Sequence, residues 1–174
     1  MKIRRGAAVM VMVVALVGLL GCSDTGDVGN VGEGKGQDMG LTWQEAKADT
    51  QKMELEIADL IPPDKIVSIE QKETGMLLSC SKTEHNWNGG ITVTVVPGVE
   101  VEPIVKDIEE HYQDSRFDIK TRLNVVGKYQ VQLRSPDTAE IYIITEGFTP
   151  DAIRIVSGSV CFTLPEGVYP GGDF

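Results

Sequence analysis

The sequence predicts an α+β fold, a two-layer sandwich in which two helices cover one face of a mainly antiparallel sheet. Residues 41–174 contain two segments with helical periodicity and seven with strand periodicity, in the order α-βββ-α-ββββ. The turns between successive strands are short, which favours antiparallel pairing. The strands alternate apolar and polar residues, so one face of the sheet is expected to meet water while the helices cover the other.

The first helix is predicted over about residues 43–60. Thr42 and Glu45 match a capping box, in which each side chain accepts a hydrogen bond from the backbone amide of the other. Pro62-Pro63 ends the helix, because the residue before a proline disfavours helical backbone angles. The apolar residues at near-helical spacing are Trp43, Ala46, Met53, Ile57 and Leu60. These side chains are expected to face the core.

Three strands are predicted next, over residues 65–73, 76–81 and 91–96. Residues 82–90 are polar and end in Asn-Gly-Gly, which predicts a loop. This loop brings an aromatic ring, a histidine and two amides together, and loops on a rigid scaffold often carry function. The candidate binding loop consists of Glu84, His85, Asn86, Trp87 and Asn88. The alternative is an ordinary solvated loop whose tryptophan folds onto the core.

The second helix is predicted to begin near Pro103, a residue that suits the first helical turn. Its apolar stripe consists of Ile104, Val105, Ile108 and Tyr112. Four more strands are predicted over residues 117–123, 129–133, 139–143 and 153–164, the last with a break near Gly158. The tail, residues 165–174, is rich in proline and glycine and is expected to be irregular.

Residues 1–21 are predicted to be a cleaved leader. Lys2, Arg4 and Arg5 form a positive start, and residues 7–20 form an apolar run. A helix that spans a bilayer needs roughly 20 apolar residues, so this run is too short to be a retained anchor. One interpretation of the leader is an ordinary secreted protein in which the next cysteine, Cys22, is incidental.

The motif Leu19-Leu20-Gly21-Cys22, at the end of the apolar run, resembles a lipobox, the processing signal of bacterial lipoproteins. The resemblance implies that Cys22 carries acyl chains after cleavage. The protein would then be held at the cell membrane, on its extracytoplasmic face. Several acyl chains on one residue bind durably, since each buried methylene contributes about 0.8 kcal/mol. The glycine-rich residues 22–40 are predicted to form the lipidated cysteine and a flexible tether, followed by one domain, residues 41–174.

The chain is acidic, with 26 Asp and Glu against 16 Lys and Arg and a net charge of −10. Loss of the leader removes three basic residues and makes the charge more negative. A domain of this charge repels nucleic acid and anionic headgroups. The sequence therefore predicts no nucleic-acid partner and no basic face, so that the lipid alone attaches the protein to the membrane.

Two cysteines, Cys80 and Cys161, lie in predicted strands of the domain. An even pair on the oxidising side of a membrane favours a disulfide. Two buried free thiols are the alternative, and a metal pair would need further ligands that the sequence does not offer. We therefore expect neither a metal nor a cofactor.

The domain as a whole is similar to a group of small actinobacterial lipoproteins without an assigned activity. The matching segments are Cys22 with its lipobox, Leu78-Ser79-Cys80, Trp87-Asn88-Gly89-Gly90, Ile108-Glu109-Glu110-His111-Tyr112 and Ser159-Val160-Cys161-Phe162. The resemblance implies surface attachment and a Cys80–Cys161 bridge, and it implies no catalytic residue.

The function predicted from the sequence is non-catalytic binding of another envelope component, a protein or a glycan. The sequence contains no signature of a serine hydrolase, zinc peptidase, P-loop or calcium loop. One alternative is a small envelope hydrolase, which would need His85 or His111 near a nucleophile. Another is a single-domain carrier of an apolar ligand, which would need a cavity inside the sandwich. A closed core with an exposed apolar patch would favour the binding domain.

Overall fold

The computed structural model of the protein describes residues 40–174. The predicted leader, the lipidated Cys22 and nearly all of the tether lie outside the described residues. The structure therefore concerns the domain that begins where the tether is expected to end.

The described chain forms an α+β sandwich of two helices and an eight-stranded sheet, as the sequence predicts. The helices are α1 (Trp43–Ala58) and α2 (Val101–His111), and a short 3-10 helix (Pro63–Lys65) follows α1. The strands are β1 (Ile66–Gln71), β2 (Met76–Ser79), β3 (Glu84–Val95), β4 (Asp118–Leu123), β5 (Tyr129–Arg134), β6 (Ile141–Glu146), β7 (Ala152–Gly158) and β8 (Phe162–Thr163). The predicted break near Gly158 separates β7 from β8.

The capping box at the start of α1 is confirmed. The Thr42 hydroxyl accepts from the Glu45 amide at 3.2 Å, and the Glu45 carboxylate accepts from the Thr42 amide at 2.9 Å. The buried face of α1 is more polar than predicted, because Thr50 and Glu54 lie in it beside the apolar residues. Met53, which the helical spacing assigns to the core, is only partly buried at its edge.

The sheet is antiparallel throughout, with strand order β1-β3-β7-β6-β5-β4. The long strand β3 organises it, since β1, β2, β7 and β8 all pair with β3. The predicted loop over residues 82–90 is wrong, because residues 84–90 are the first half of this strand. Pairing with β2 and β8 satisfies the backbone of this polar segment, which a polarity pattern alone does not reveal.

The main core lies between the sheet and both helices. Ile57 of α1 and Ile108 of α2 meet Ile91 of β3, Leu133 of β5 and Ile155 of β7, all with at most 1 % exposure. A smaller cluster of Ala46, Trp87 and Phe162 fills the space beneath the start of α1. The strands therefore present a mainly apolar face to the helices, in which Ser157 is a buried polar residue.

The Cys80–Cys161 disulfide is present, with a Cα–Cα distance of 6.3 Å. The two cysteines lie just outside the strands rather than within them: Cys80 follows β2 and Cys161 precedes β8. The bridge thus fastens together the two short strands that flank the start of β3.

Candidate binding face of the sheet

The two faces of the sheet have different neighbours. On β3, Ile91, Val93 and Val95 belong to the core under the helices. Because successive side chains of a strand point to opposite faces, Asn88 and Thr92 lie on the other side. Both described helices contact the first face, so within residues 40–174 no helix covers the second. We call this second surface the open face.

The strand register defines three central rows of the open face, which cross the strands. The row nearest the β4–β5 turn consists of Arg122, Gln130, Thr145, Arg154, Thr92 and Glu70. The middle row consists of Lys120, Gln132, Ile143, Val156 and Gly90. The third row consists of Asp118, Arg134, Ile141, Gly158, Asn88 and Met76. The centre is therefore aliphatic, and amides, hydroxyls and charged groups surround it.

The open face is basic although the chain is acidic. Its rows contain four basic residues, Lys120, Arg122, Arg134 and Arg154, and two acidic ones, Asp118 and Glu70. The expectation that the domain has no basic face is therefore wrong. Net charge conceals this, because the register of four strands concentrates basic residues on one surface and the acidic majority lies elsewhere.

Several polar side chains of the open face are held in place by their neighbours. With the Gln130 amide oriented so that its oxygen faces Arg122, that oxygen accepts from Nε at 2.9 Å and from Nη2 at 3.1 Å. The Asn88 amide donates to the Asn86 side-chain oxygen at 3.1 Å. A Cβ atom at Gly158 would lie 3.1 Å from Asn86 Nδ2, so the glycine leaves room for this amide pair.

The five residues of the candidate binding loop are divided between the two faces. Asn86 and Asn88 lie on the open face, whereas Trp87 is fully buried under α1. The Trp87 indole donates to the backbone oxygen of Phe174 at 3.1 Å. A Cβ atom at Gly89 would lie 2.0 Å from the indole ring, so the ring occupies the space above that glycine. Trp87 is a core residue, in agreement with the alternative in which the tryptophan folds onto the core.

The two histidines lie apart from each other. His85 lies between β2 and β8, with Nδ1 buried and without a hydrogen bond. His111 is exposed at the end of α2, with its ring edge against Tyr112 at 5.0 Å. Within residues 40–174 no hydrogen bond joins either histidine to a serine or cysteine, so the hydrolase alternative gains no support from this geometry.

Two turns beside the first row expose apolar side chains. In the β4–β5 turn Val125 and Val126 are 104 % and 73 % exposed, and in the β6–β7 turn Phe148 is 91 % exposed. The guanidinium group of Arg154 lies 4.8 Å from the centre of the Phe148 ring. We call these two segments, residues 124–128 and 147–151, the apolar turns. Because contiguous exposed apolar patches mark interaction sites, these neighbouring turns are candidates for contact with another molecule.

A groove of about 780 Å³ lies at the other end of the sheet, lined in part by Trp43, Phe162 and Leu164. It opens at the surface beside the start of α1 and does not enter the main core. The carrier alternative requires a cavity between the layers, and there the side chains of the core are packed against one another.

No family model matches the chain, and neither a curated protein nor a solved structure is significantly similar to it. The resemblance to actinobacterial lipoproteins therefore stays a prediction. Within the described residues no helix is long and apolar enough to cross a bilayer.

Proposed function

We propose that this chain is a lipid-anchored, non-catalytic domain of the cell surface that binds another envelope component through the open face of its sheet. The observation that carries the proposal is the concentration of basic residues on that face. An acidic domain that gathers basic residues and amides on one uncovered surface is suited to a partner with anionic groups.

The composition of the open face fits a binding surface. Ile141, Ile143 and Val156 supply an apolar centre, and arginines and amides surround it, which is the usual arrangement of an interface. Arg122 and Arg154 are exposed or partly exposed, and each guanidinium group can donate two parallel hydrogen bonds to a carboxylate or phosphate.

The scaffold supports this role because it holds the face rigidly. β7, β6 and β5 each pair on both sides, and the helices pack behind them. A surface that is already ordered loses little conformational freedom when it binds, which favours affinity. The predicted tether of residues 22–40 would let this rigid domain orient itself above the membrane.

The test is crosslinking on intact cells with charge-reversed variants of the full chain. The variant Arg122→Glu with Arg154→Glu should lose the crosslinked products of the wild-type protein, because it places negative charge in the first row. The control is Lys52→Glu with Lys106→Glu, which changes the net charge equally on the helix side. Both variants should fold, since the control breaks only exposed ion pairs, worth about 0–1 kcal/mol, and neither Arg122 nor Arg154 is buried. The melting temperature of each variant checks this.

Equal crosslinking by the wild type and the open-face variant would contradict the proposal. An equal loss in both variants would also contradict it, since net charge rather than the open face would then govern binding.

A further inference from the structure

The apolar turns lie side by side at one end of the sheet. β5 begins beside the end of β6, with Gln130 opposite Thr145, and the Asn124 side chain donates to Thr145 Oγ1 at 3.3 Å. Adjacent strands are about 4.8 Å apart, so the two hairpins are centred roughly 10 Å from each other. The domain thus presents two neighbouring apolar protrusions.

The exposed valines are not needed to form their turn. The Asn124 side-chain oxygen accepts from the amides of Val126 and Lys128 at 3.0 and 2.9 Å, and Gly127 adopts the positive φ of 79°. These two residues close the turn, and polar residues are the usual choice for the positions between them. Val125 is fully exposed, so its side chain gains nothing from the fold of this domain.

Phe148 has a similar position in the second turn. That turn is closed by backbone bonds, from the Gly147 amide to Ala152 at 2.7 Å and from the Ala152 amide to Thr149 at 3.2 Å. The aromatic ring is 91 % exposed, and Arg154 lies over it. The Phe148 ring is exposed to water and has a guanidinium group beside it. This pair suits a partner that offers hydrocarbon to the ring and anionic groups to the arginine.

Basic residues lie directly behind the protrusions on the open face. Arg122 and Arg154 belong to the first row and Lys120 to the second, and the acid of the first row is Glu70 on the distant strand β1. Four acidic residues lie toward α2: Glu100, Glu102, Glu146, which is paired with Lys128 at 2.8 Å, and Asp151, which accepts from the Gly98 amide at 3.4 Å. The apolar turns therefore have basic residues beside them on the open face and acidic residues beside them on the helix side. A partner with anionic groups would meet the open face rather than the helix side.

We propose that the partner of the open face is an anionic lipid bilayer, into which the apolar turns insert while the basic residues behind them contact phosphate groups. This inference rests on the proposed function and names its partner. A bilayer places hydrocarbon and phosphate groups in the same order as the turns and the basic row.

The expected anchor is compatible with this docking. Gly40 lies beside Glu84 and Cys161, at the opposite end of β3 from the apolar turns. The 12 residues of β3 span about 40 Å. Residues 22–40, as a fully extended chain, reach at most roughly 60–65 Å. The tether is therefore long enough for the turns to meet the membrane that holds Cys22.

Vesicle binding by residues 40–174 tests the proposal. These residues contain both helices, the whole sheet and the disulfide, and they lie within one compact unit. The probes are vesicles of equal parts phosphatidylglycerol and phosphatidylcholine, and vesicles of phosphatidylcholine alone. The domain should bind the anionic vesicles, bind the neutral ones weakly, and dissociate as salt is raised.

The variant Val125→Ser with Phe148→Ser should weaken binding to anionic vesicles about tenfold or more, since both side chains leave water on insertion. The matched control is Leu55→Ser, which removes an apolar side chain of 40 % exposure from α1 on the helix side and should bind as the wild type does. The melting temperature of each variant should equal that of the wild type, because these side chains are exposed.

No binding to anionic vesicles, or unchanged binding by the turn variant, overturns the lipid inference. If crosslinking on cells still depends on Arg122 and Arg154 in that case, the partner is a protein or glycan and the proposed function stands. If crosslinking on cells does not depend on these arginines either, the inference and the proposed function both fail.

Discussion

Glu54 is the least expected residue of the core. It lies on the buried face of α1 with 0 % exposure. Its carboxyl group accepts from the Ser157 hydroxyl and, at 2.7 Å, from the Gln71 amide. Burial raises the pKa of Glu54 above its ordinary value of 4.5, and the two hydrogen bonds oppose that shift only in part. Folding therefore shifts the protonation equilibrium of Glu54 toward the neutral carboxyl group.

The sign of the pH dependence follows from the raised pKa. The stabilising contribution of Glu54 is fully present below its unfolded pKa of about 4.5 and is lost as pH rises through the folded value. The variant Glu54→Gln keeps the shape without the charge, so its free energy of unfolding, relative to the wild type, should increase with pH. Urea unfolding across this pH range measures the difference.

The exposed neighbour Glu56 provides the control for this experiment. Its side chain is 53 % exposed, and Glu56→Gln should change the free energy of unfolding little at any pH. A Glu54→Gln variant that tracks the wild type at every pH would contradict the account of a buried, destabilised carboxylate.

Trp87 illustrates what the sequence leaves open at the scale of one residue. The sequence permits either an exposed anchor or a core residue, because polar residues surround it. The position in the alternation decides between them, since Trp87 shares the parity of Ile91, Val93 and Val95 along one strand. This alternation can be recognised only when residues 84–95 are assigned to a single strand.

At the scale of elements, the short strands β2 and β8 depend on a covalent link. Neither has more than 4 residues, and the Cys80–Cys161 bridge joins the segments next to them across a sequence separation of 81. Closing a loop of this size stabilises the folded state by roughly 2–5 kcal/mol, mainly by restricting the unfolded chain. Reduction should therefore lower the free energy of unfolding by about that amount.

Urea unfolding with and without reductant checks this expectation. The double variant Cys80→Ser with Cys161→Ser is the control, because it should match the reduced wild type and be insensitive to reductant. Equal stability of the oxidised and reduced protein would show that pairing with β3 alone secures these strands.

Most elements were predictable because their signals are local. The capping box, Pro62-Pro63, the helical stripe of α2 and the alternation in β5 and β6 each depend on a few neighbouring residues. The first half of β3 was missed because its conformation depends on partners distant in sequence, such as Phe162 of β8 opposite His85. The same long-range register forms the open face, so composition could not predict the candidate site.

At the scale of the whole molecule, the location of the domain is predicted to depend on Cys22. The predicted lipid should hold the protein on membranes through a high-salt wash, since burial of acyl chains does not weaken with ionic strength. Contacts made by Arg122 and Arg154 should weaken in the same wash, because salt screens exposed charges. The two kinds of attachment are therefore separable in one experiment.

The variant Cys22→Ala should either stay unprocessed, which is seen as a larger mass, or leave the membrane fraction in the high-salt wash. Ser23→Ala is the matched control, because it alters the adjacent position and keeps the thiol that the lipobox resemblance requires. A Cys22→Ala protein that has the mass of the processed wild type and stays in salt-washed membranes would contradict lipidation. Retention at low salt followed by release at high salt is the result expected if the open face and the apolar turns hold the unlipidated domain on an anionic surface.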